Sequence, residues 1–247
     1  MDWLLDPNIW ISFITLAVLE VVLGIDNIVF ISILAGKLPK EQQALARQVG
    51  LFLALGSRIL LLLSINWIAS LTKPFFNLFT FDFSGRDLIL ILGGLFLLGK
   101  ATFEIHDKLE GAEDDPSAAR VVTSFTSVLI QIVLLDLVFS LNSVITAVGL
   151  ADRVEVMIAA IVVAVLFMLA FVNPLSDFIE RHPTVKMLAL AFLVLIGANL
   201  IADGFGQEIP KGYTYFAMAF SVMVELLNLR LRGEKSAKPV QLRKAAR

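Results

Sequence analysis

Seven blocks of apolar residues, each about as long as a lipid bilayer is thick, limit what this chain can fold into. A transmembrane helix needs about 20 mainly apolar residues. We predict seven such helices, at residues 9–35, 48–70, 87–104, 121–150, 154–173, 186–203 and 212–230. Hydrophobic residues make up 58% of the chain and charged residues 17%, against roughly a half and a quarter in soluble domains. The sequence therefore predicts an all-α membrane protein with a single membrane domain over residues 1–247.

The composition excludes several kinds of functional site. The chain has no cysteine, which excludes disulfides, thiolate metal sites and thiol catalysis. His106 and His182 are the only histidines, so a zinc or haem enzyme is not favoured. The net charge of −2 indicates no nucleic-acid partner. No nucleotide-binding motif or paired catalytic set is visible, and we expect neither an enzyme nor a permanently bound cofactor.

The distribution of Lys and Arg predicts the orientation in the membrane. Fourteen lie after the first, third, fifth and seventh predicted helices, whereas four lie on the opposite side. Cytoplasmic loops carry the excess of Lys and Arg. We therefore predict an external N-terminus and a cytoplasmic C-terminus that ends in a basic tail, residues 231–247. No basic residue precedes the first apolar block, so we expect that block to be retained rather than cleaved as a signal peptide.

One polar pattern occurs twice, 116 positions apart. A carboxylate is followed, after five mostly apolar residues, by a pair of small polar residues. The two copies are Glu20, Asp26 and Asn27, and then Asp136, Asn142 and Ser143. Two units of three helices, residues 9–104 and 121–203, would enter the membrane from opposite sides, as in the inverted repeats of many transporters. The seventh helix, 212–230, stands outside the repeat. Chance similarity between two apolar helices is the alternative, although acidic residues inside a span are rare.

The three acidic residues of the repeat indicate function. Glu20, Asp26 and Asp136 lie near the centres of predicted spans, where a charge costs at least about 2.5–3.5 kcal/mol and usually marks an ion or proton path. The alternative is that these carboxyl groups are protonated and neutral, in which case the membrane tolerates them without an ion path. The all-oxygen donor set suits Mg²⁺, Ca²⁺ or Mn²⁺. Arg58, also mid-span, must be compensated. Arg58 could pair with a carboxylate only when no cation is bound, or it could form a permanent, structural ion pair. The sequence does not distinguish the two interpretations.

Helical geometry sets a condition on this site. At 100° per residue, Glu20 and Asn27 share a helix face, but Asp26 points about 120° away. The second copy has the same offset. An unbroken helix would divide each set, so we predict local unwinding at Gly24 or Ser140, which would let the members converge and expose backbone carbonyls as further ligands.

Further polar residues lie near helix ends. Lys100, Glu104 and His106, at the cytoplasmic end of the third predicted helix, are candidates for a gate or an ion exit. A solvated helix end is the favoured alternative for them. Asn199 and Asp203, near the outer end of the sixth predicted helix, are candidates for lining the exit.

At these motifs the chain resembles the TerC family of bacterial membrane proteins. The resemblance covers about residues 9–229 and rests on the two polar motifs, on Arg58 and on the segment Lys100–His106. It implies a seven-helix fold in the bacterial inner membrane and a link to manganese export and metal homeostasis. The ligands that it implies by position are Glu20, Asp26, Asn27, Asp136, Asn142 and Ser143. The second copy of the family pattern often has a second aspartate where this chain has Asn142. That difference removes one negative charge and bears on ion choice, affinity and transport competence.

The sequence thus predicts a divalent-cation exporter, with Mn²⁺ as the favoured substrate. In this interpretation two inverted units rock about a shared site, driven by protons or the membrane potential. Two alternatives stay open: a membrane factor that assists assembly or metalation of exported proteins, and an exporter of a small organic solute. The expected partners are the lipid bilayer and the cation. A second copy of the chain and a secretion or quality-control protein are further partners that the sequence leaves open.

Overall fold

Seven helices account for most of the described residues. The computed structural model describes residues 6–64, 71, 72, 74–78, 81–110, 124–151, 153–207 and 209–231; the side chains of 75–78, 81, 142, 145, 146 and 148–150 lie outside the description. The helices are α1 Pro7–Ala35, α2 Lys40–Leu63, α3 Gly85–Glu110, α4 Phe125–Leu150, α5 Val154–Arg181, α6 Pro183–Gly204 and α7 Lys211–Leu231. Each corresponds to one predicted helix. The predicted tail at 231–247 lies, after its first residue, outside the described residues.

The helices have the length and composition of membrane spans. Among the described residues, six helices are long and apolar enough to cross a bilayer, and α4 contributes a shorter apolar stretch, Phe125–Leu141. Large apolar side chains also cover the outside of the bundle: Leu60 is 66% exposed, Phe103 63% and Phe216 74%. A water-soluble protein rarely exposes contiguous apolar surface on this scale. This surface suits contact with lipid.

Local sequence signals explain where two of the helices begin. Asp6 precedes α1, and its side chain accepts a hydrogen bond from the backbone N–H of Asn8 at 2.9 Å, while Pro7 takes the first helical position. Before α3, the Ser84 hydroxyl and backbone N–H both donate to Asp87 Oδ2, at 2.6 and 2.9 Å. These are N-terminal caps, which satisfy N–H groups that have no partner inside the helix.

The helices pack in a small number of close pairs. The most extensive contacts join α3 to α6 and α1 to α5, followed by α2 to α4 and α2 to α5. At the α3–α6 crossing, a Cβ on Gly94 would lie 2.6 Å from the carbonyl oxygen of Gly197, and a Cβ on Gly197 would lie 2.9 Å from that of Gly94. Only glycine allows this approach of two backbones. Helix α7 packs on α6, with Thr214 and Met218 as its buried residues.

A short hairpin precedes α3 and was not predicted. Strands β1 Pro74–Leu78 and β2 Phe81–Ser84 pair antiparallel, with a bulge between Pro74 and Phe76. The ring of Phe83 packs edge-on against Phe205 at the end of α6, with centroids 5.9 Å apart. The hairpin thus contacts the same end of the bundle at which α6 ends.

The predicted unwinding at Gly24 and Ser140 is wrong, because α1 and α4 are continuous helices through both positions. Gly24 serves close packing instead, since a Cβ there would collide with the Met168 side chain of α5. Ser140 donates its hydroxyl to Asp136 at 3.1 Å and stays helical. The polar residues on α1 are therefore distributed as on a regular helix.

The predicted end of the fifth helix at residue 173, directly before Pro174, is also wrong. Helix α5 continues through Pro174 to Arg181. A proline inside a helix removes one backbone hydrogen bond, which membrane helices tolerate where neighbouring groups compensate. The additional turns carry Ser176, which hydrogen-bonds Ser32 of α1, and acidic residues described below.

Candidate ion-binding site

Arg58 of α2 lies between two carboxylates in the interior of the bundle. Its Nη1 donates to Glu20 of α1, while its Nε and Nη2 donate to Asp136 Oδ1 at 3.2 and 3.0 Å. All three side chains are 3% exposed. One cation thus faces two anions, and the group carries a net negative charge. Buried charges are tolerated only when they are paired and hydrogen-bonded, and each member of this group meets that condition.

Asp136 is the most fully coordinated member of this group. Besides Arg58, its Oδ1 accepts a hydrogen bond from the Asn27 amide at 3.1 Å. Its Oδ2 accepts from the hydroxyls of Ser57 at 3.0 Å and Ser140 at 3.1 Å. Asp136 therefore accepts hydrogen bonds from donors on α1, α2 and α4.

Regular helical spacing brings these donors together. Asn27 follows Glu20 by seven residues, so both side chains leave the same face of α1. Ser140 follows Asp136 by four residues and lies one turn further along α4. Ser57 is adjacent to Arg58 on α2. The face shared by Glu20 and Asn27 was predicted from the sequence.

Asp26 faces away from Arg58's ion pairs, as an unbroken α1 requires. It is 8% exposed, and within the described part of the chain its buried Oδ1 has no hydrogen-bond partner. Asp26 lines a pocket that also reaches Arg58 and Ser143. The pocket extends to the end of the bundle where α6 ends and α7 begins. Its other polar lining residues are Asn199, Asp203, Lys211, Thr214 and Tyr215.

The six residues predicted as ligands thus fall into separate places. Glu20 and Asp136 pair with Arg58, and Asn27 hydrogen-bonds Asp136. Asp26 and Ser143 line the pocket that reaches Arg58. The side chain of Asn142 lies outside the described residues. In the described part of the chain, no three acidic or histidine side chains converge as a metal-binding group. A divalent ion that bound both Glu20 and Asp136 would have to take the position of the guanidinium.

A second group of charged residues lies at the opposite end of the bundle. Arg47 of α2, 3% exposed, pairs with Asp177 at 3.3 Å and Glu180 at 2.8 Å, both on the last turns of α5. Lys37, between α1 and α2, pairs with Glu104 of α3. These ion pairs tie four segments of the chain together at this end.

The favoured interpretation of Lys100, Glu104 and His106 as a solvated helix end is wrong for Glu104. Its side chain is 3% exposed because it points into the bundle toward Lys37. Lys100 is half-buried, and His106 is exposed. All three belong to this opposite end, and Arg58's hydrogen bonds go to Glu20 and Asp136 instead.

Sequence reasoning missed several of these participants. Ser140 could have been found from its position one turn after Asp136, and Ser57 from its place beside Arg58. The ion pairs of Arg47 with Asp177 and Glu180 were missed because the fifth helix was predicted to end before Pro174.

Comparison with known proteins identifies close relatives along almost the whole chain. The sequence model of a family described as "Integral membrane protein TerC family" matches residues 5–238. A UPF0053 protein of Haemophilus influenzae is 54% identical over 231 residues, which are 94% of this chain and 98% of the relative. The UPF0053 inner membrane protein YgdQ of Escherichia coli K12 is 52% identical over 234 residues, 95% of this chain and 98% of its own length.

A longer relative contains the same region. The UPF0053 protein YegH of Escherichia coli K12 is 53% identical over 228 residues, which are 92% of this chain but 43% of YegH. This chain therefore corresponds to one part of that longer protein. No solved structure matches the chain.

Proposed function

The chain belongs to the TerC family of integral membrane proteins, and from this premise we propose that it exports a divalent metal ion, with Mn²⁺ as the favoured substrate. The membrane is the bacterial inner membrane, by analogy with the relative YgdQ. The ion crosses the bilayer through the bundle, and the energy comes from protons or the membrane potential.

The buried group of Glu20, Arg58 and Asp136 carries this proposal. Three ionisable side chains deep in an apolar helical bundle are costly, and in membrane proteins such residues typically lie on ion or proton pathways. Glu20 and Asp136 come from α1 and α4, the two helices that carry the repeated polar motif. Their carboxylate oxygens are ligands that Mn²⁺, Mg²⁺ and Ca²⁺ accept.

Charge balance supports exchange between the ion and Arg58. One guanidinium leaves the two carboxylates with a net negative charge, whereas a divalent ion between them would make the group neutral. In the proposed cycle Arg58 holds Glu20 and Asp136 when no ion is bound between them, and it withdraws when the ion enters. Asp26, next to this group in the pocket, supplies a further carboxylate as the ion arrives or leaves.

The pocket supports an accessible side for the transported ion. It connects Asp26 and Arg58 to the end of the bundle near Asp203, whereas ion pairs such as Lys37–Glu104 join the helices at the opposite end. In the predicted orientation the pocket opens to the periplasm and the ion pairs lie at the cytoplasmic face. We infer that the described arrangement is the one from which an exported ion leaves.

Helix packing supports the inverted repeat. Exchanging α1 with α4, α2 with α5 and α3 with α6 converts the close pair α1–α5 into the close pair α4–α2. The same exchange returns α3–α6 to itself. An inverted repeat requires this correspondence, since a pseudo-two-fold axis relates the halves. The ion site between α1 and α4 would then lie at the interface of the halves.

Ion flux through reconstituted vesicles tests the proposed function. Purified protein is reconstituted into liposomes, and Mn²⁺, Mg²⁺, Ca²⁺ and Zn²⁺ are compared under imposed pH and voltage gradients. We expect protein-dependent flux that is fastest for Mn²⁺ and depends on one of the gradients. Absence of flux for all four ions would overturn the proposal.

Variants in cells provide the matched controls. Asp26→Ala and Asp136→Ala should abolish manganese resistance without lowering the amount of protein in the membrane, because each removes a carboxylate of the site. Asp107→Ala removes an exposed carboxylate of α3 and should leave resistance intact. Protection by both site variants at the level of the unchanged protein would contradict the assignment.

A further inference from the structure

The pocket beside Arg58 contains polar side chains in addition to the buried group of Glu20, Arg58 and Asp136. Its outer part is lined by Asn199 and Asp203 of α6 and by Lys211 and Thr214 of α7. Asn199 Nδ2 donates a hydrogen bond to Thr214 Oγ1 at 2.7 Å, which joins the two helices at this point. The pocket therefore has polar walls from α7, the helix outside the repeat.

Asp26 is one of the residues that line this pocket. It is 8% exposed, and its Oδ1 has no hydrogen-bond partner among the residues that the structure describes. A buried carboxylate oxygen without a donor is costly unless a ligand or water satisfies it. Asp26 lines the polar pocket and also borders an apolar pocket between α1, α5, α6 and α7. A cation is stabilised by polar walls and not by apolar ones, so the polar pocket is the side from which a cation would reach Asp26.

The ligand that fits this wall is a cation. Asn199 has its amide nitrogen engaged by Thr214, so its amide oxygen is turned away from that hydroxyl. Together with the carboxylates of Asp26 and Asp203, it gives the pocket oxygen donors. Two carboxylates and one amide are too few to replace the whole hydration shell of a divalent ion, so the bound ion would keep several waters, as Mg²⁺ commonly does in proteins.

Lys211 supplies a positive charge to the same pocket. It lines the pocket together with Asp203 and Asp26. A mobile ammonium on a flexible stem can neutralise these carboxylates and can move aside when a divalent ion arrives. Its relation to the pocket thus parallels that of Arg58 to the deeper carboxylates.

We propose that Asp26, Asn199 and Asp203 form a second, outer binding position for a partly hydrated divalent cation, with Lys211 as its tethered competitor. This inference rests on the proposed function and extends it. The ion occupies the outer position before or after the deep position at Glu20 and Asp136, so that transport proceeds through two binding positions. Helix α7 then takes part in ion binding as one wall of the outer binding position.

Transport kinetics in vesicles give the first test, with Mn²⁺ as the probe on the side to which the pocket opens. Asp203→Asn should raise the half-saturating Mn²⁺ concentration about tenfold, the effect of one unit charge near a divalent ion in largely hydrated surroundings. The maximal rate should change less than about twofold, since the deep site is intact. Lys211→Gln should lower the half-saturating concentration because it removes the competitor.

Two further variants make the result specific. Glu155→Gln removes an exposed carboxylate in the first turn of α5, at the same end of the bundle but away from the pocket, and should leave both parameters unchanged. Asn199→Asp adds a negative charge to the outer position and should lower the half-saturating concentration. Half-saturating concentrations for Asp203→Asn and Asn199→Asp equal to that of the unchanged protein would overturn the outer position.

Equilibrium binding separates this inference from the proposed function. Free Mn²⁺ is followed by its electron paramagnetic resonance signal during titration into purified protein in detergent. Binding that Asp203→Asn weakens and Glu155→Gln does not would support the outer position even if the vesicles showed no flux. Binding that is insensitive to Asp203 would overturn the inference even if Mn²⁺ is transported.

Discussion

Two nitrogen atoms of Arg58 donate to the same oxygen of Asp136, at 3.2 and 3.0 Å, while a third nitrogen donates to Glu20. One side chain therefore connects α1, α2 and α4 in the interior of the bundle. Through this connection Arg58 stabilises the fold and, in the proposed cycle, also gives way to the transported ion. Experiments can separate the two roles.

Removal of the Arg58 charge should destabilise the protein strongly. Arg58→Met leaves two buried carboxylates without their cation, and breaking a buried pair typically costs about 3–5 kcal/mol. Thermal unfolding in detergent should show a large decrease in Tm. The control Arg181→Met changes an exposed arginine at the end of α5 and should have little effect. Equal stability of the two variants would contradict a stabilising role for Arg58.

Neutral substitution of the whole group separates stability from function. In the triple variant Arg58→Met, Glu20→Gln and Asp136→Asn, no buried charge lacks its partner, so much of the lost stability should return. Ion flux in vesicles should be absent for the triple variant because the carboxylate ligands are gone. Flux by the triple variant would show that these side chains are not ion ligands.

The serine hydroxyls on Asp136 Oδ2 should matter in combination. Ser57→Ala or Ser140→Ala alone removes one of two donors and should cost about 0.5–1.5 kcal/mol. The double variant leaves Oδ2 without either donor, so its cost should exceed the sum of the single values. Ser127→Ala, at an exposed position of α4, is the matched control. Strict additivity in chemical or thermal unfolding would contradict joint solvation of Asp136 by these hydroxyls.

The α3–α6 crossing should be sensitive to a single methyl group. Gly94→Ala places a Cβ against the backbone of Gly197 and against Ile201, and such overpacking typically costs about 1–3 kcal/mol. Gly99→Ala, on the same helix, meets nothing within 4 Å and should be neutral or slightly stabilising, since alanine favours helix more than glycine. The two melting temperatures should therefore move differently. A similar decrease for both would indicate that the crossing is not tight.

The ion pair between Lys37 and Glu104 should contribute modestly to stability. Lys37 remains 23% exposed, so solvent screens the pair, and its coupling energy should be about 1 kcal/mol. A double-mutant cycle with Lys37→Met and Glu104→Gln measures this coupling directly. Asp107→Asn, an exposed neighbour on α3, replaces Glu104→Gln in the control cycle and should give no coupling.

The sequence was sufficient to locate the helices and the charged residues inside them, because both signals are local. An apolar run of bilayer length identifies a span, and a carboxylate within it is conspicuous. Glu20, Arg58 and Asp136 were recognised in this way. Their shared contact depends on how α1, α2 and α4 pack, and the sequence left the partner of Arg58 open between several carboxylates.

The predictions that were wrong concern tertiary packing. Unwinding at Gly24 was inferred from the need to gather all ligands, yet this glycine makes room for Met168. Proline was taken as a helix end at Pro174, but helix α5 continues because membrane packing tolerates the missing hydrogen bond. Glu104 was expected at a solvated end, whereas its neighbours bury it. For Gly24 and Glu104 the deciding partners, Met168 and Lys37, lie far away in the sequence.

In the proposed cycle, a divalent cation takes the position of the Arg58 guanidinium between Glu20 and Asp136. Crystals grown with Mn²⁺ and measured at the manganese absorption edge would show this exchange. We expect an anomalous peak within ligand distance of both carboxylates, with Arg58 withdrawn from them. Arg58 still bridging Glu20 and Asp136 at saturating Mn²⁺, with no anomalous peak beside them, would contradict it.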